Sequence, residues 1–495
     1  MTTITSTRPP IVAIMGHIDH GKSTLLDYIR KTQVVATEAG GITQHLSAYE
    51  IAIPYQGSPR QITFLDTPGH AAFTGMRERG AVAADIAILV VSAEDGVKAQ
   101  TIEALGTIRA AQIPFIVAIN KIDRPEANVE KTKLSLAEHE VLVEGFGGTI
   151  PVVALSALTG AGVPDLLETI LLVADMEALS ATPGSLAEGL VIESNLDQKR
   201  GVAATIIIKD GTLTKGQFVV AGSALTTTRI MEDFLGASID VAGPSKPVQL
   251  IGFDELPGVG SEIKVFAKKR DAEDYIETVK GAAARTNDRT TIAADTKVVP
   301  VIIKADVFGT AEAIERELKK LAVENLYLKI THKGIGPISE NDIRLARADK
   351  DTIIIGFNVT LDARAREANE NVGASVQVFT IIYRLIEWIT EELERRRPRK
   401  EQREIVGSAK VLKTFSKTKE KQVLGGKILS GKLVEGAKLS ILRRDFALAS
   451  GALLEIQQAK QRAKEINEGE FGALIECKTD IAPGDVLEAY ILVTK

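Results

Sequence analysis

Through residues 1–180, short unbroken apolar runs alternate with Gly-rich turns and mixed stretches of helical period. Ile11-Val12-Ala13-Ile14-Met15, Ile86 to Val91 and Phe115-Ile116-Val117-Ala118-Ile119 contain no polar position, the pattern of strands buried on both faces of a parallel sheet. Ile62 to Asp66 and Val152 to Leu155 are shorter runs of the same kind, and Thr24 to Lys31 reads as helix. The texture changes at Pro183-Gly184. Residues 188–267 carry β-rich runs (Gly189 to Glu193, Ala203 to Lys209, Gln217 to Ala221, Val248 to Phe253) between turns such as Asp210-Gly211 and Pro257-Gly258, which predicts a small β-barrel. Strands at Val298 to Lys304, Leu326 to Thr331 and Thr352 to Phe357, with a helix at Ala311 to Leu321, predict a βαβ-type unit. From Val378 to Arg397, Ile381, Ile382, Leu385, Ile386, Ile389 and Leu393 recur every three or four residues, a helical stripe, and short strands return to the end. The expected class is multidomain α/β plus β-barrels. Its order is a tail (1–8), an α/β domain (9–180), a β-barrel (183–270), a helical linker (271–295), a second α/β domain (296–372), a connecting helix (373–400) and a second β-barrel (401–495).

Composition alters this picture in two places. With 45% hydrophobic and 25% charged residues the chain is not wholly disordered. Its net charge of −5 hides an asymmetry, because residues 395–495 hold 21 Lys and Arg against 13 Asp and Glu. A basic end suits either RNA contact or a solvated surface. The run Arg395-Arg396-Arg397-Pro398-Arg399-Lys400 is open in the same way, since bases also complement a helix C-terminus. The single cysteine, Cys477, cannot form an internal disulfide, which fits a reducing compartment. No apolar run approaches the ~18–20 residues of a membrane span, and the Thr- and Pro-rich start lacks the apolar core of a secretory signal. A soluble, cytoplasmic, monomeric protein without membrane contact is expected.

The chemistry lies at the ends of the first strands. Gly16-His17-Ile18-Asp19-His20-Gly21-Lys22-Ser23, followed by Thr24, matches G-x-x-x-x-G-K-[ST] between a strand and a helix. Its glycines let backbone amides wrap phosphate oxygens, Lys22 reaches the β- and γ-phosphates, and the Ser23 hydroxyl suits Mg²⁺. Asp66 ends the next strand where such enzymes hold Mg²⁺, and Gly69 in Asp66-Thr67-Pro68-Gly69-His70 can offer its amide to the γ-phosphate. In Asn120-Lys121-Ile122-Asp123, the Asp123 carboxylate can accept guanine N1–H and the 2-amino group, donors adenine does not present together. The Lys121 stem can lie along the purine, and an amide of Ser156-Ala157-Leu158 can meet guanine O6. Several such motifs in order, each at the C-terminal end of a strand, specify a GTP site. His17, His20, His45 and His70 lie beside these loops without metal-ligand spacing.

Together these motifs resemble the translational GTPases. Met15 to Asp27, Glu38 to His45 (Glu-Ala-Gly-Gly-Ile-Thr-Gln-His) and Asp66 to Thr74 are similar to bacterial-type translation initiation factor two, a resemblance that runs from Arg8 to the C-terminus. Many bacterial relatives carry a long N-terminal extension ahead of the strand at which this sequence nearly begins. The resemblance implies that Thr43 closes over Mg²⁺ when the γ-phosphate is present and opens after hydrolysis. It also implies that His70 orients the attacking water. His70 would then need an outside group, ribosomal RNA, to hold it inward, so intrinsic hydrolysis is expected to be slow.

The third domain is expected to act mechanically, and the helix after it to carry the last domain away from the body. The implied partners are the 30S and 50S subunits, ribosomal RNA and initiator tRNA, with room for other initiation factors; the ligands are GTP or GDP and Mg²⁺. The last domain would hold the formylmethionyl acceptor end through Gly425, Gly426, Lys460, Glu470, Phe471 and Gly472. There the sequence departs from its relatives, since both family cysteines, an aromatic ring and an arginine are replaced. Altered recognition of the formylmethionyl group is therefore expected. Two other readings remain at this level: another tRNA-delivering or ribosome-acting GTPase, and a scaffold that holds GTP without turnover.

Overall fold

The computed structural model describes residues 6–31, 43–283, 297–321, 326–397, 401–444, 446–459 and 461–494. The chain forms two units, Met1–Arg396 and Arg397–Lys495. In the first domain a six-stranded sheet runs in the order Ser47–Tyr55, Ser58–Asp66, Ile11–Gly16, Ile86–Ser92, Phe115–Asn120, Val152–Ala154. The last five strands are mutually parallel, and their unbroken apolar runs are buried because helices cover both faces. Their C-terminal ends, and so every loop singled out by motif, meet at one edge. Ser47–Tyr55 joins antiparallel through a hairpin with Gln56 and Gly57 at positive φ.

The second domain is a seven-stranded sheet curled around an apolar core. Past the strand Pro247–Phe253, the Asp254 amide donates to Leu225 O at 3.0 Å, bringing the two ends of the curl together. Five further short strands lie outside the four expected, among them Ala224–Thr227 and Glu262–Phe266. The expected linker begins as the helix Lys269–Ala283, which packs Ala272 and Ile276 onto Val220 of this domain. Residues 284–295 of that linker lie outside the described residues.

The third domain corrects the expected boundary. Its sheet has four parallel strands in the order Leu326–Ile335, Lys297–Ala305, Ile353–Phe357, Ser375–Phe379. Residues 375–379, assigned to a connecting helix beginning at 373, form the fourth strand. Val376 and Val378 alternate there at a strand period, which the apolar stripe that follows had masked. The helix itself is Ile382–Arg396 and buries Ile382, Leu385, Ile389 and Leu393 with Val301, Ile355 and Phe357. Within the described residues it therefore closes the third domain rather than standing apart from it. Arg396 donates to Glu392 and to Asp351 O, and Arg395 pairs with Glu392, so these two bases are held within their own domain.

In the second unit, Lys438–Arg443, Val486–Thr494, Glu401–Thr418, Lys421–Gly431, Glu470–Glu476 and Phe446–Gln458 pair antiparallel in turn, and the last pairs back with the first. The ring is a closed barrel, and Cys477 is buried in its core. Among the described residues no helix is long and apolar enough to cross a membrane.

Candidate nucleotide site

Gly16 and Gly21 hold the phosphate loop in a shape other residues cannot adopt. Gly16 has φ +145°, and a Cβ there would lie 2.4 Å from Val90 O; Gly21 has φ +83°, and its Cβ would lie 2.4 Å from Asn120 Nδ2. Between them Ile18–His20 form one turn of 3₁₀ helix, and Lys22 opens the helix Lys22–Arg30. Lys22 Nζ, buried, donates to Gly16 O at 2.9 Å and His17 O at 2.6 Å. Burial pushes its ammonium down to about 8, and the nearby Asp66 carboxylate works against that shift. A Cβ at Gly69 would come 2.6 Å from Lys22 Nζ, so a side chain there would displace the lysine from its place over the loop. Ser23 Oγ stands 3.0 Å from Thr43 Oγ1, which unites the two hydroxyls expected to face Mg²⁺. Asp66 is buried near Lys22 and precedes Thr67, whose hydroxyl donates to Ile14 O at 2.6 Å. Uncharged hydroxyls with one carboxylate suit a hard, oxygen-seeking cation. Asp19 and Thr24 are exposed on the loop and first helical turn.

The base side divides into a strut and a reader. Asn120 is buried and spans two loops: its Nδ2 donates to His20 O at 2.8 Å, while its Oδ1 accepts from Lys121 N at 2.7 Å and Ala157 N at 2.9 Å. Of the three amides in Ser156-Ala157-Leu158, that of Ala157 is donated to Asn120. Asp123 is fully open, and a hydrogen bond from the Ser156 hydroxyl holds its carboxyl below the usual range, an ionised acceptor at neutral pH. Lys121 adopts φ +66° and extends Nζ to 3.6 Å from Glu94 Oε2. Leu158 is exposed.

The histidines behave differently from one another. His20 is buried beneath the loop, its ring edge-on to His17 at 4.9 Å, and desolvation pushes it down to about 4. Its imidazole is a neutral packing element, which leaves only its backbone to face a phosphate. His70 is also buried, and burial lowers its pKa. Its Nδ1 accepts from Ala72 N at 2.8 Å, which places the proton of the neutral ring on Nε2. Arg77, wholly buried, clamps the loop from below by donating to Pro68 O at 3.1 Å and His70 O at 2.5 Å while pairing with Glu103. Gln100 accepts from Ile18 N at 3.1 Å. Neither Arg77 nor Gln100 stood out in the sequence, where each is an ordinary helix residue.

Three family models tile the first unit: "Elongation factor Tu GTP binding domain" over residues 7–175, "Elongation factor G domain 2" over 186–266 and "Translation-initiation factor 2" over 276–390. Translation initiation factor IF-2 of Bacillus subtilis (strain 168) is 40% identical over 98% of this chain and 69% of its own length. The chain belongs to the translation initiation factor IF-2 family. That of Aquifex aeolicus is 42% identical, and this chain spans 61% of its length. Among solved structures, GDP-bound aIF5B from Aeropyrum pernix is 26% identical over 98% of this chain and 92% of that one, with a TM-score of 0.47.

In the C-terminal barrel, five of the six residues singled out by resemblance to the IF-2 family meet around one cavity of about 500 Å³. Gly425, Gly426, Glu470, Phe471 and Gly472 line it with Leu412, Lys413 and Phe415; Lys460 lies outside the described residues. The strands place Gly425 opposite Gly472 and Gly426 opposite Phe471. A Cβ on Gly426 would sit 2.8 Å from Phe471 Cζ and 2.5 Å from Lys410 O. The absence of a side chain at 426 thus makes room for the ring at 471.

Proposed function

We propose that this chain is a ribosome-dependent GTPase that promotes initiator tRNA placement and subunit joining, with hydrolysis resetting the switch. The observation that carries the reading is the meeting of Ser23 and Thr43 hydroxyls at 3.0 Å beside the buried Lys22. Two hydroxyls from separate loops that meet at one point would share one ligand, as a γ-phosphate sensor requires. Ser23, Thr43 and Asp66 would hold Mg²⁺, which supplies positive charge against the β- and γ-oxygens. Lys22 adds a cation there, and Asp123 orients the guanine. His70 would orient the attacking water. A scaffold without turnover would have no use for Thr43 or His70.

GTP turnover measured with and without 50S subunits tests the reading. Strong stimulation is expected, and none refutes it. At the C-terminal cavity, Gly426 and Phe471 stand where the resemblance places the family's two cysteines, so formylmethionyl recognition uses different contacts or is weaker. Protection of formylmethionyl initiator tRNA from hydrolysis, run beside an IF-2 relative, is expected to be reduced; equal protection overturns the claim.

A further inference from the structure

Both switch segments of the nucleotide site touch one short stretch of the third domain. Gln44, next to Thr43, donates from Nε2 to Thr380 O at 3.0 Å. Three residues further along, the Tyr383 ring lies against His70, with centroids 4.1 Å apart and planes at 58°. Phe73 closes another side of the imidazole at 5.9 Å. The stretch is rigidly placed, because Ile382 is buried in one core with Ala72 and Phe73 of the His70 loop. His45 adds a contact of 2.8 Å from Nε2 to Asp306 Oδ2.

In this arrangement His70 has little freedom. Its Nδ1 caps the turn Ala71–Phe73, and its Nε2 is screened from solvent with no hydrogen-bond partner among the described residues. A nitrogen that orients water must meet water, so the ring has to leave this rotamer before it can act. The Tyr383 ring is packed against the imidazole while remaining 44% exposed itself, so any change of the His70 rotamer disturbs that contact.

Resting on the GTPase reading, we propose that Tyr383 is the positioning residue for His70. It holds the imidazole retracted and thereby sets how slowly GTP is hydrolysed away from the ribosome. The third domain is in this sense part of the catalytic switch and not only a mechanical element. Contact with the ribosome would have to break the His70–Tyr383 packing.

The test is GTP hydrolysis by the full chain, with and without 50S subunits, for the parent, Tyr383→Ala, Tyr383→Phe, His70→Ala and the Tyr383→Ala/His70→Ala pair. An aromatic contact of this size corresponds to roughly a three- to tenfold change in rate. Tyr383→Ala should raise the unstimulated kcat by that factor at unchanged KM, and the gain should vanish in the His70→Ala background. Tyr383→Phe keeps the ring and should fall back toward the parental rate. Because Tyr383 is nearly half exposed, truncating it opens no core cavity. An unstimulated kcat that stays level or falls in Tyr383→Ala, or a gain that persists without His70, overturns the inference alone. A parent with no turnover even on 50S subunits refutes the GTPase reading and the inference with it.

Discussion

Asn120 offers the sharpest test of how the site is built, because its amide touches both loops that enclose the nucleotide. Asn120→Ala would strip the donor from His20 O and the acceptor from Ala157 N, both on buried residues, and the acceptor from Lys121 N. Each buried polar group left unsatisfied costs about 1–3 kcal/mol, so the two buried ones alone account for about 2–6 kcal/mol. The phosphate loop and the Ser156-Ala157-Leu158 loop must stand in register only when a nucleotide bridges them. Most of the cost should therefore appear as lost affinity. At 1.4 kcal/mol per factor of ten, even the lower bound predicts a Kd for GDP weaker by about 30-fold. Equilibrium titration with a fluorescent GDP analogue reads this directly, with the melting midpoint as a folding control. Asn120→Asp, which sets a carboxylate oxygen against His20 O in place of the donor, should weaken binding at least as much as alanine does. A Kd for Asn120→Ala within about threefold of the parent, at an unchanged midpoint, would refute the strut.

Three further outcomes follow from buried groups elsewhere. Burial pushes the Glu193 carboxyl up to about 7, so the native chain keeps a proton that the unfolded chain loses near pH 4.5; its contribution to stability falls as pH rises between those values, by about 3 kcal/mol in all. Glu193→Gln retains an acceptor for the Ser194 and Gly309 amides, so its melting midpoint should gain on the parent from pH 5 to 8, and parallel curves would refute this. Asp85 joins Arg8, Lys209 and the Ile11 amide, and these partners hold its pKa below the usual range against the cost of burial. Asp85→Asn should cost about 3–5 kcal/mol at pH 7 in denaturant unfolding, a gap that closes as pH falls through the parent's lowered pKa; a constant gap contradicts the assignment. In the C-terminal barrel, Gly426→Ala should destabilise by about 1–3 kcal/mol, and by less when Phe471→Ala has already removed the ring. Additive penalties would show that the two positions are uncoupled.

The parts of the fold legible in the sequence are those where one local pattern has one physical cause. Ile11 to Met15 and Ile86 to Val91 are apolar throughout because helices cover both faces of the sheet, and the Gly-rich turns that bound such short runs mark them as strands. Gly16, Gly21 and Gly69 mark the phosphate loop because Val90 backbone, the Asn120 amide and Lys22 Nζ respectively occupy the space a Cβ would need. Ser47–Tyr55 escaped notice since it is an edge strand, partly exposed along most of its length and carrying Pro54. Ser375–Phe379 was absorbed into the helix after it, because Val378 and Phe379 extend that helix's apolar spacing while also fitting a strand.

The site residues that stayed hidden share a different property: their roles exist only through partners distant in the chain. Arg77 is an unremarked base in a helix until its guanidinium is seen beneath Pro68 and His70, and Tyr383 is separated from His70 by more than 300 positions. The reverse also holds. Asn120 belongs to a motif that announces guanine, yet its amide is spent on the protein's own loops, while Asp123 alone of that motif presents an open, ionised acceptor. A nucleotide motif thus combines groups that touch the ligand with groups that hold those in place. The third domain, which carries no chemistry of its own, enters the switch by the second route, through Thr380 against Gln44 and Tyr383 against His70.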